Sequence, residues 1–193
     1  MTDITFVTGN RGKVKSLTNR LPDDISLQQK DLDIAEIQDN DIETIAKQKA
    51  LDAWSRVGKP VVVQDSGFHI DALNGFPGPY IKHTLNTIGP EGIVRLLDSK
   101  EARTCYFRQA LGYVDEEGSA HTFTNEPIQK GRIAEEVAER NTSISWSPLW
   151  RIFIPADANK PLALFSKAEI QKREQSAEGT SEFDKFAQWI TNN

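Results

Sequence analysis

Asp65 directly follows Val61-Val62-Val63 and Gln64, a β-branched run of the kind buried in α/β sheets, and is followed in turn by Ser66 and Gly67. Ligands of open α/β sheets gather at the carboxyl ends of strands, so a carboxylate there is placed to hold a metal or activate water; an Asx turn capped by its own backbone is the alternative. A second group lies at Thr8-Gly9-Asn10-Arg11-Gly12-Lys13, just after the β-prone Ile4-Thr5-Phe6-Val7. Here glycines let the backbone approach a ligand, a following helix N-terminus favours phosphate, and Lys13 can fold back as a counter-charge. The pattern is neither a Walker A loop nor a Rossmann fingerprint, and a strand-Gly-helix turn also serves as plain connection.

Asp33, Glu36, Asp39 and Asp41 form an acidic run. Such runs are solvated faces or first-turn helix charges, or one member supplies a second carboxylate to a metal; composition does not choose among the four. Lys49 lies four residues after Ile45 and three after Ala46, which puts its stem on an apolar helix face. From there it either snorkels along the surface or reaches inward to a phosphate. His69, His83 and His121 have no metal-ligand spacing with one another or with Cys105, and no Gly-x-Ser-x-Gly elbow is present, so zinc chemistry and covalent hydrolysis lack support.

The elements that must position these groups follow from periodicity. A helix is expected over Arg11 to Arg20, before Pro22, and a longer one over Asp41 to Val57, where Ile42, Ile45, Ala46, Ala50, Ala53, Trp54 and Val57 recur at helical spacing. Glu43 and Lys47 are spaced to pair on its outer side, and Gly58-Lys59-Pro60 ends it. Gly75, Pro77, Gly78 and Pro79 mark a loop, after which Tyr80 to Asn86 and Pro90 to Leu97 suit short helices. Thr104 to Val114 and Ala120 to Pro127 read as strands around Asp115-Glu116-Glu117-Gly118, and Trp150 to Pro155 as another. Phe183, Phe186, Ala187 and Ile190 share one face of a last helix, with Ser181 and Asp184 as its capping box.

With 193 residues, 38% apolar and 26% charged, the chain has the composition of an ordinary globular protein and the size of one large domain or two small lobes, able to bury a substantial core. A single cysteine excludes an intramolecular disulfide. A net charge of −5 supplies no basic field for a nucleic-acid polymer, while a few lysines grouped in a site suffice for a small phosphorylated ligand. No stretch reaches the roughly 18 apolar residues of a membrane span, and Met1-Thr2-Asp3-Ile4-Thr5 lacks the basic start of a signal peptide, so a cytoplasmic location is expected.

In order along the chain, these pieces resemble the inosine triphosphate pyrophosphatase family, which hydrolyses non-standard purine triphosphates to monophosphate and pyrophosphate. Thr8 to Lys13 resembles its Thr-x-Asn-x-x-Lys phosphate loop, and Asp65-Ser66-Gly67 its Asp-Ser-Gly after a valine-rich strand. The longest match is Asp71-Ala72-Leu73-Asn74-Gly75-Phe76-Pro77-Gly78-Pro79-Tyr80-Ile81-Lys82, continued by Pro90-Glu91-Gly92. The resemblance is strong over Ile4 to Leu97.

It implies an α/β fold with an elongated central mixed sheet and helices around it, a single domain over 1–193 whose two lobes flank a cleft, and usually a homodimer. By the same resemblance Glu36 and Asp65 hold Mg²⁺, with Mn²⁺ as a substitute, and Asp65 is the catalytic proton acceptor. Thr8, Gly9, Asn10, Lys13, Lys49, Ser66 and Lys82 would contact the nucleoside triphosphate substrate, with ITP, dITP or XTP expected. The later half departs from the pattern. Where the family carries Phe-Gly-Trp/Tyr-Asp-Pro this chain has Ile144-Ser145-Trp146-Ser147-Pro148, and the family's Lys-Asn and Ser-His-Arg are replaced through Ile170-Gln171 and Glu174-Gln175-Ser176. Ser145, Trp146, Ser147 and Gln175 would then form a rewritten base pocket. A different base, or a nucleotide-binding relative without turnover, are the alternatives this departure opens.

Overall fold

The computed structural model describes residues 2–125, 129–139, 147–176 and 181–192, with the backbone alone over 174–176. In chain order these carry β1 (Thr2–Val7), α1 (Arg11–Thr18), β2 (Ile25–Lys30), α2 (Ile42–Val57), β3 (Val61–Ile70), β4 (Pro77–Gly78), α3 (Ile81–Thr87), α4 (Gly89–Arg95), β5 (Thr104–Val114), β6 (Ala120–Thr124), β7 (Gln129–Ile133), β8 (Phe153–Pro155), α5 (Lys167–Ser176) and α6 (Glu182–Thr191). The chain divides into two compact units, the first containing described residues 2–66, 109–125 and 181–192, the second 67–108, 129–139 and 147–176. Strands β3 and β5 each contribute to both units.

In the first unit β1 runs parallel to β2, from Thr2 opposite Ile25 to Val7 opposite Lys30, and parallel to β3, with Thr5 opposite Val61 and Phe6 opposite Val62. β5 pairs antiparallel with β6, from Ala110 opposite Thr124 to Val114 opposite Ala120. The sheet is therefore mixed, as the resemblance implies. Alternation along β3 assigns its two faces. Val62 packs with Ile4, Phe6 and Leu17 and with Phe183 and Phe186 of α6, whereas Val61 and Val63 pack with Val7 and with Ala50 and Ala53 of α2. Burying each large apolar side chain contributes about 1.5–3 kcal/mol, which fixes the helices against opposite faces of the strand.

Helix α2 begins at Asp41, whose carboxylate accepts from the Glu43 and Thr44 amides at 3.3 and 3.1 Å, and ends at Gly58, whose φ of 71° is open to glycine without strain. It packs very closely on β5: a Cβ built on Gly112 would stand 2.4 Å from the Ala46 carbonyl oxygen. The expected Glu43–Lys47 pair is not among the ion pairs of the described residues; the Glu43 carboxylate takes the Thr122 hydroxyl of β6 instead. The capping box expected at α6 is present, with Ser181 and Asp184 exchanging hydrogen bonds at 3.0 and 3.1 Å.

The second unit is built on antiparallel pairs. Phe68 and His69 of β3 lie opposite Gly78 and Pro77 of β4, β5 pairs with β7 from Thr104 opposite Arg132 to Phe107 opposite Gln129, and β7 pairs with β8. Phe68, Phe107 and Phe153 meet at ring distances of 4.7 to 6.0 Å inside a core that includes Ile93, Leu97 and Ile133.

Several expectations are corrected. β3 does not end at Asp65-Ser66-Gly67 but continues to Ile70, because buried Phe68 and Ile70 extend the alternation and β4 pairs with it. Trp150 to Pro155 is a strand only from Phe153; Pro148–Arg151 forms a 3₁₀ turn, with Pro148 in its first turn and the Ser147 side chain capping it. β2, β7 and α5 carry no clear period in sequence. No helix among the described residues is long and apolar enough to cross a membrane.

Candidate functional site

Three expected residues come together in the first unit. Lys49 Nζ lies 2.5 Å from Glu36 Oε1 and 3.3 Å from Asp65 Oδ2, so one ammonium is shared by two carboxylates. The placement follows from local structure. Asp65 continues the Val61, Val63 face of β3 that packs on α2, and Lys49 lies on α2 immediately before buried Ala50. Its side chain is 16% exposed, so it reaches inward rather than snorkelling. Burial works against the Lys49 charge, but Asp65 and Glu36 outweigh it and hold its pKa above the usual lysine value.

The acidic run separates into distinct roles. Asp41 caps α2, Asp39 accepts the Asp41 amide at 2.8 Å, the Asp33 carbonyl accepts from Arg56, and Glu36 is the member that meets Lys49. Asp65 Oδ1 also accepts the Ser66 amide at 2.8 Å, so the local turn-like contact and the ion pair coexist.

The loop before α1 is self-capped. Asn10 Oδ1 accepts from the Gly12 and Lys13 amides at 2.9 and 3.3 Å, and the Asn10 amide donates to Thr8 Oγ1 at 3.1 Å. Two of the first-turn amides are thus taken by the cap, which leaves the helix dipole and the Lys13 side chain as the groups able to act on an anion. A Cβ at Gly9 would stand 3.1 Å from Asp31 Oδ2, a tight contact with an exposed carboxylate that a small side-chain shift relieves. Burial pushes Lys13 below the usual lysine value, against the attraction of Asp65; Lys49 also lowers it, while Glu182 and Glu36 raise it.

Those electrostatics bring in two residues that sequence reasoning missed. Glu182, the first residue of α6, is 2% exposed, and its Oε1 accepts from Gln64 Nε2 at 2.5 Å. Burial pushes its carboxyl above the usual range, partly offset by backbone and Gln64 hydrogen bonds. Only its place within a capping box was visible in sequence, where an acid reads as an ordinary first-turn charge.

Glu36 and Asp65 are the residues able to hold a divalent ion. Among the described residues no cluster of three or more His, Cys, Asp or Glu side chains is present, so a metal here would draw on these two carboxylates alone. The cation already shared by the two carboxylates is the observation that favours this donor set.

A sequence profile of the Ham1 family matches residues 4–186. The chain belongs to the Ham1 family. Among its Ham1 relatives it is 37% identical to the dITP/XTP pyrophosphatase of Methanopyrus kandleri, over 98% of this chain and 97% of that protein. It is 35% identical to the inosine triphosphate pyrophosphatase of Candida glabrata, over 77% of this chain and 79% of that one. The solved structure of a HAM1 protein from Coxiella burnetii shares the fold with a TM-score of 0.80 at 18% identity, covering 100% of both chains.

Of the remaining residues expected from the resemblance, Lys82 and Ser147 lie in the second unit. Lys82 is exposed in the first turn of α3. Ser147 Oγ accepts the Leu149 amide at 3.3 Å as the cap of the 3₁₀ turn. Ser145 and Trp146 lie outside the described residues, and so does the side chain of Gln175 on α5.

Proposed function

We propose that this chain hydrolyses a nucleoside triphosphate carrying a non-standard purine, such as ITP, dITP or XTP, to the monophosphate and pyrophosphate. The observation that carries the proposal is the Lys49 ammonium shared by Glu36 and Asp65, in the same unit as the Asn10-capped start of α1 and Lys13. The activities named for the Methanopyrus and Candida relatives support the same reading.

Glu36 and Asp65 would hold Mg²⁺, or Mn²⁺ in its place. When bound, the ion supplies charge neutralisation and polarisation at the phosphate oxygens. Lys13 and Lys49 oppose the remaining phosphate charge, aided by the dipole of α1. Asp65 orients a water and accepts its proton as the water oxygen bonds to the α-phosphorus; the bond to the bridging oxygen breaks and pyrophosphate leaves. Positioning and electrostatics supply most of the rate in such a reaction. The working form is a homodimer in the cytoplasm, so the purified 21.6 kDa chain should sediment at twice its mass.

The deciding experiment is pyrophosphate release from ITP, dITP, XTP, ATP and GTP with Mg²⁺. The proposal expects turnover with the first three to exceed that with ATP and GTP, and Asp65→Asn to reduce it by about 10³-fold or more. No release from any triphosphate with Mg²⁺ or Mn²⁺ would overturn the enzymatic reading, and ATP or GTP as preferred substrate would overturn the choice of base.

A further inference from the structure

The first turn of α6 is an unusual place to bury a carboxyl. Its helix face is apolar, with Phe183 and Phe186 packed on Ile4, Phe6, Val62 and Leu111. Yet Glu182 and Gln64 are inserted beside that cluster, at 2% and 7% exposure. They bond to each other at 2.5 Å, and Glu182 Oε2 and Gln64 Oε1 are buried without a partner among the described residues. An apolar pair of similar volume would avoid that desolvation cost, so stability is a poor reason for the pair.

Its position offers a better reason. Gln64 is the residue before Asp65 on β3, and successive side chains of a strand point to opposite faces. Holding Gln64 toward α6 therefore fixes the rotation of the strand that aims Asp65 toward Lys49 on α2. The same turn of α6 reaches α1. Asp184 pairs with Arg20 Nε at 2.7 Å, and Arg20 Nη1 donates to the Ser16 carbonyl and hydroxyl at 2.7 and 2.9 Å, one turn beyond Lys13. One helix end thus touches both strand and helix that carry the site, through separate bonds.

We infer that Glu182 is a positioning residue for the phosphoanhydride hydrolysis proposed above: through Gln64 it sets the aim of Asp65, while Asp184 and Arg20 separately hold the helix that carries Lys13. The inference rests on that functional reading. It separates two quantities. Loss of the Gln64–Glu182 bond misaims the proton acceptor and lowers kcat, whereas triphosphate affinity depends on α1, its own tether and the charges around Lys13, and does not follow that bond.

The test compares Glu182→Gln with the double variant Gln64→Met/Glu182→Leu at saturating Mg²⁺, at a temperature where both are folded by circular dichroism. The amide oxygen of Glu182→Gln still accepts from Gln64 Nε2, so this variant should keep kcat within about threefold, whereas the double variant should lose about 10- to 100-fold. Both variants remove the Glu182 charge that acts on Lys13, so KM, and calorimetric binding of ITP with Ca²⁺ in place of Mg²⁺, should agree between the two within about threefold. If the double variant does not fold, Glu182→Ala must show the same split. Wild-type kcat in the bond-deleted variant, equal losses in Glu182→Gln and the deletion, or kcat and affinity falling together would each overturn the inference. Failure of the wild-type protein to bind or cleave any triphosphate would instead overturn the functional reading, and this inference with it.

Discussion

On one face of β3, Val61 and Val63 lead to Asp65 and its partner Lys49; on the other, Val62 leads to Gln64 and its partner Glu182. Both faces end an apolar stripe with a polar contact to a helix, but the contacts differ in kind. Asp65 is 14% exposed and Glu36 48%, so their ion pair borders solvent and can exchange partners when a ligand arrives. Gln64 and Glu182 are sealed, and serve geometry rather than exchange. Chemistry and alignment are thus divided between opposite sides of one strand.

The division can be broken experimentally. Phe186→Ala, in the core on the α6 side, should cost about 3–5 kcal/mol of stability by denaturant unfolding and leave kcat of the folded fraction nearly unchanged. A comparable loss of kcat at temperatures well below Tm would mean that the apolar packing of α6, and not the Gln64–Glu182 bond alone, sets the aim of Asp65. Lys49→Met, on the α2 side, should do the reverse, lowering kcat/KM about 100-fold, near 2.7 kcal/mol, with little change in Tm.

Asn10→Ala probes the loop common to both activities, capping and phosphate approach. It should lower stability by about 1 kcal/mol through loss of the bonds to the Gly12 and Lys13 amides, measurable as a reduced denaturant midpoint. The smallest effect concerns Asp184. Burial opposes its charge, but Ser181 and Arg20 prevail and hold its carboxyl below the usual aspartate value. A depressed carboxylate contributes stability above its unfolded pKa and loses it as pH falls through the folded one. Below pH 4, therefore, wild type should lose up to about 1 kcal/mol relative to Asp184→Asn in acid unfolding curves. Parallel curves would remove Asp184 from the bracing set.

The sequence made the α2 side legible because each step there has a strong local signal. Helical spacing of Ile42, Ile45, Ala46, Ala50 and Ala53 fixed the inward face, and three valines announced β3. Glu36 could not be separated from Asp33, Asp39 and Asp41 by composition, since only the tertiary approach of Lys49 distinguishes it. β2 stayed hidden because Ile25 and Leu27 are its only aliphatic residues and no residue in it is fully buried. α5 stayed hidden because it is almost wholly polar, with Ile170 packed on the core. Glu182 escaped for a different reason: a glutamate at a helix start is ordinary, and its burial depends on Gln64, 118 residues away.

Gly112 sets a mechanical condition on all of this. With its backbone so near the Ala46 carbonyl and the Ala50 methyl, β5 acts as a stop against which α2 is seated without clearance. Lys49 stands between those two contact points in sequence, so its reach toward Asp65 is gauged from a surface that yields little. A single methyl group at position 112 would move the lysine without altering one charged residue, which makes a residue with no side chain the gauge of the ion pair's length.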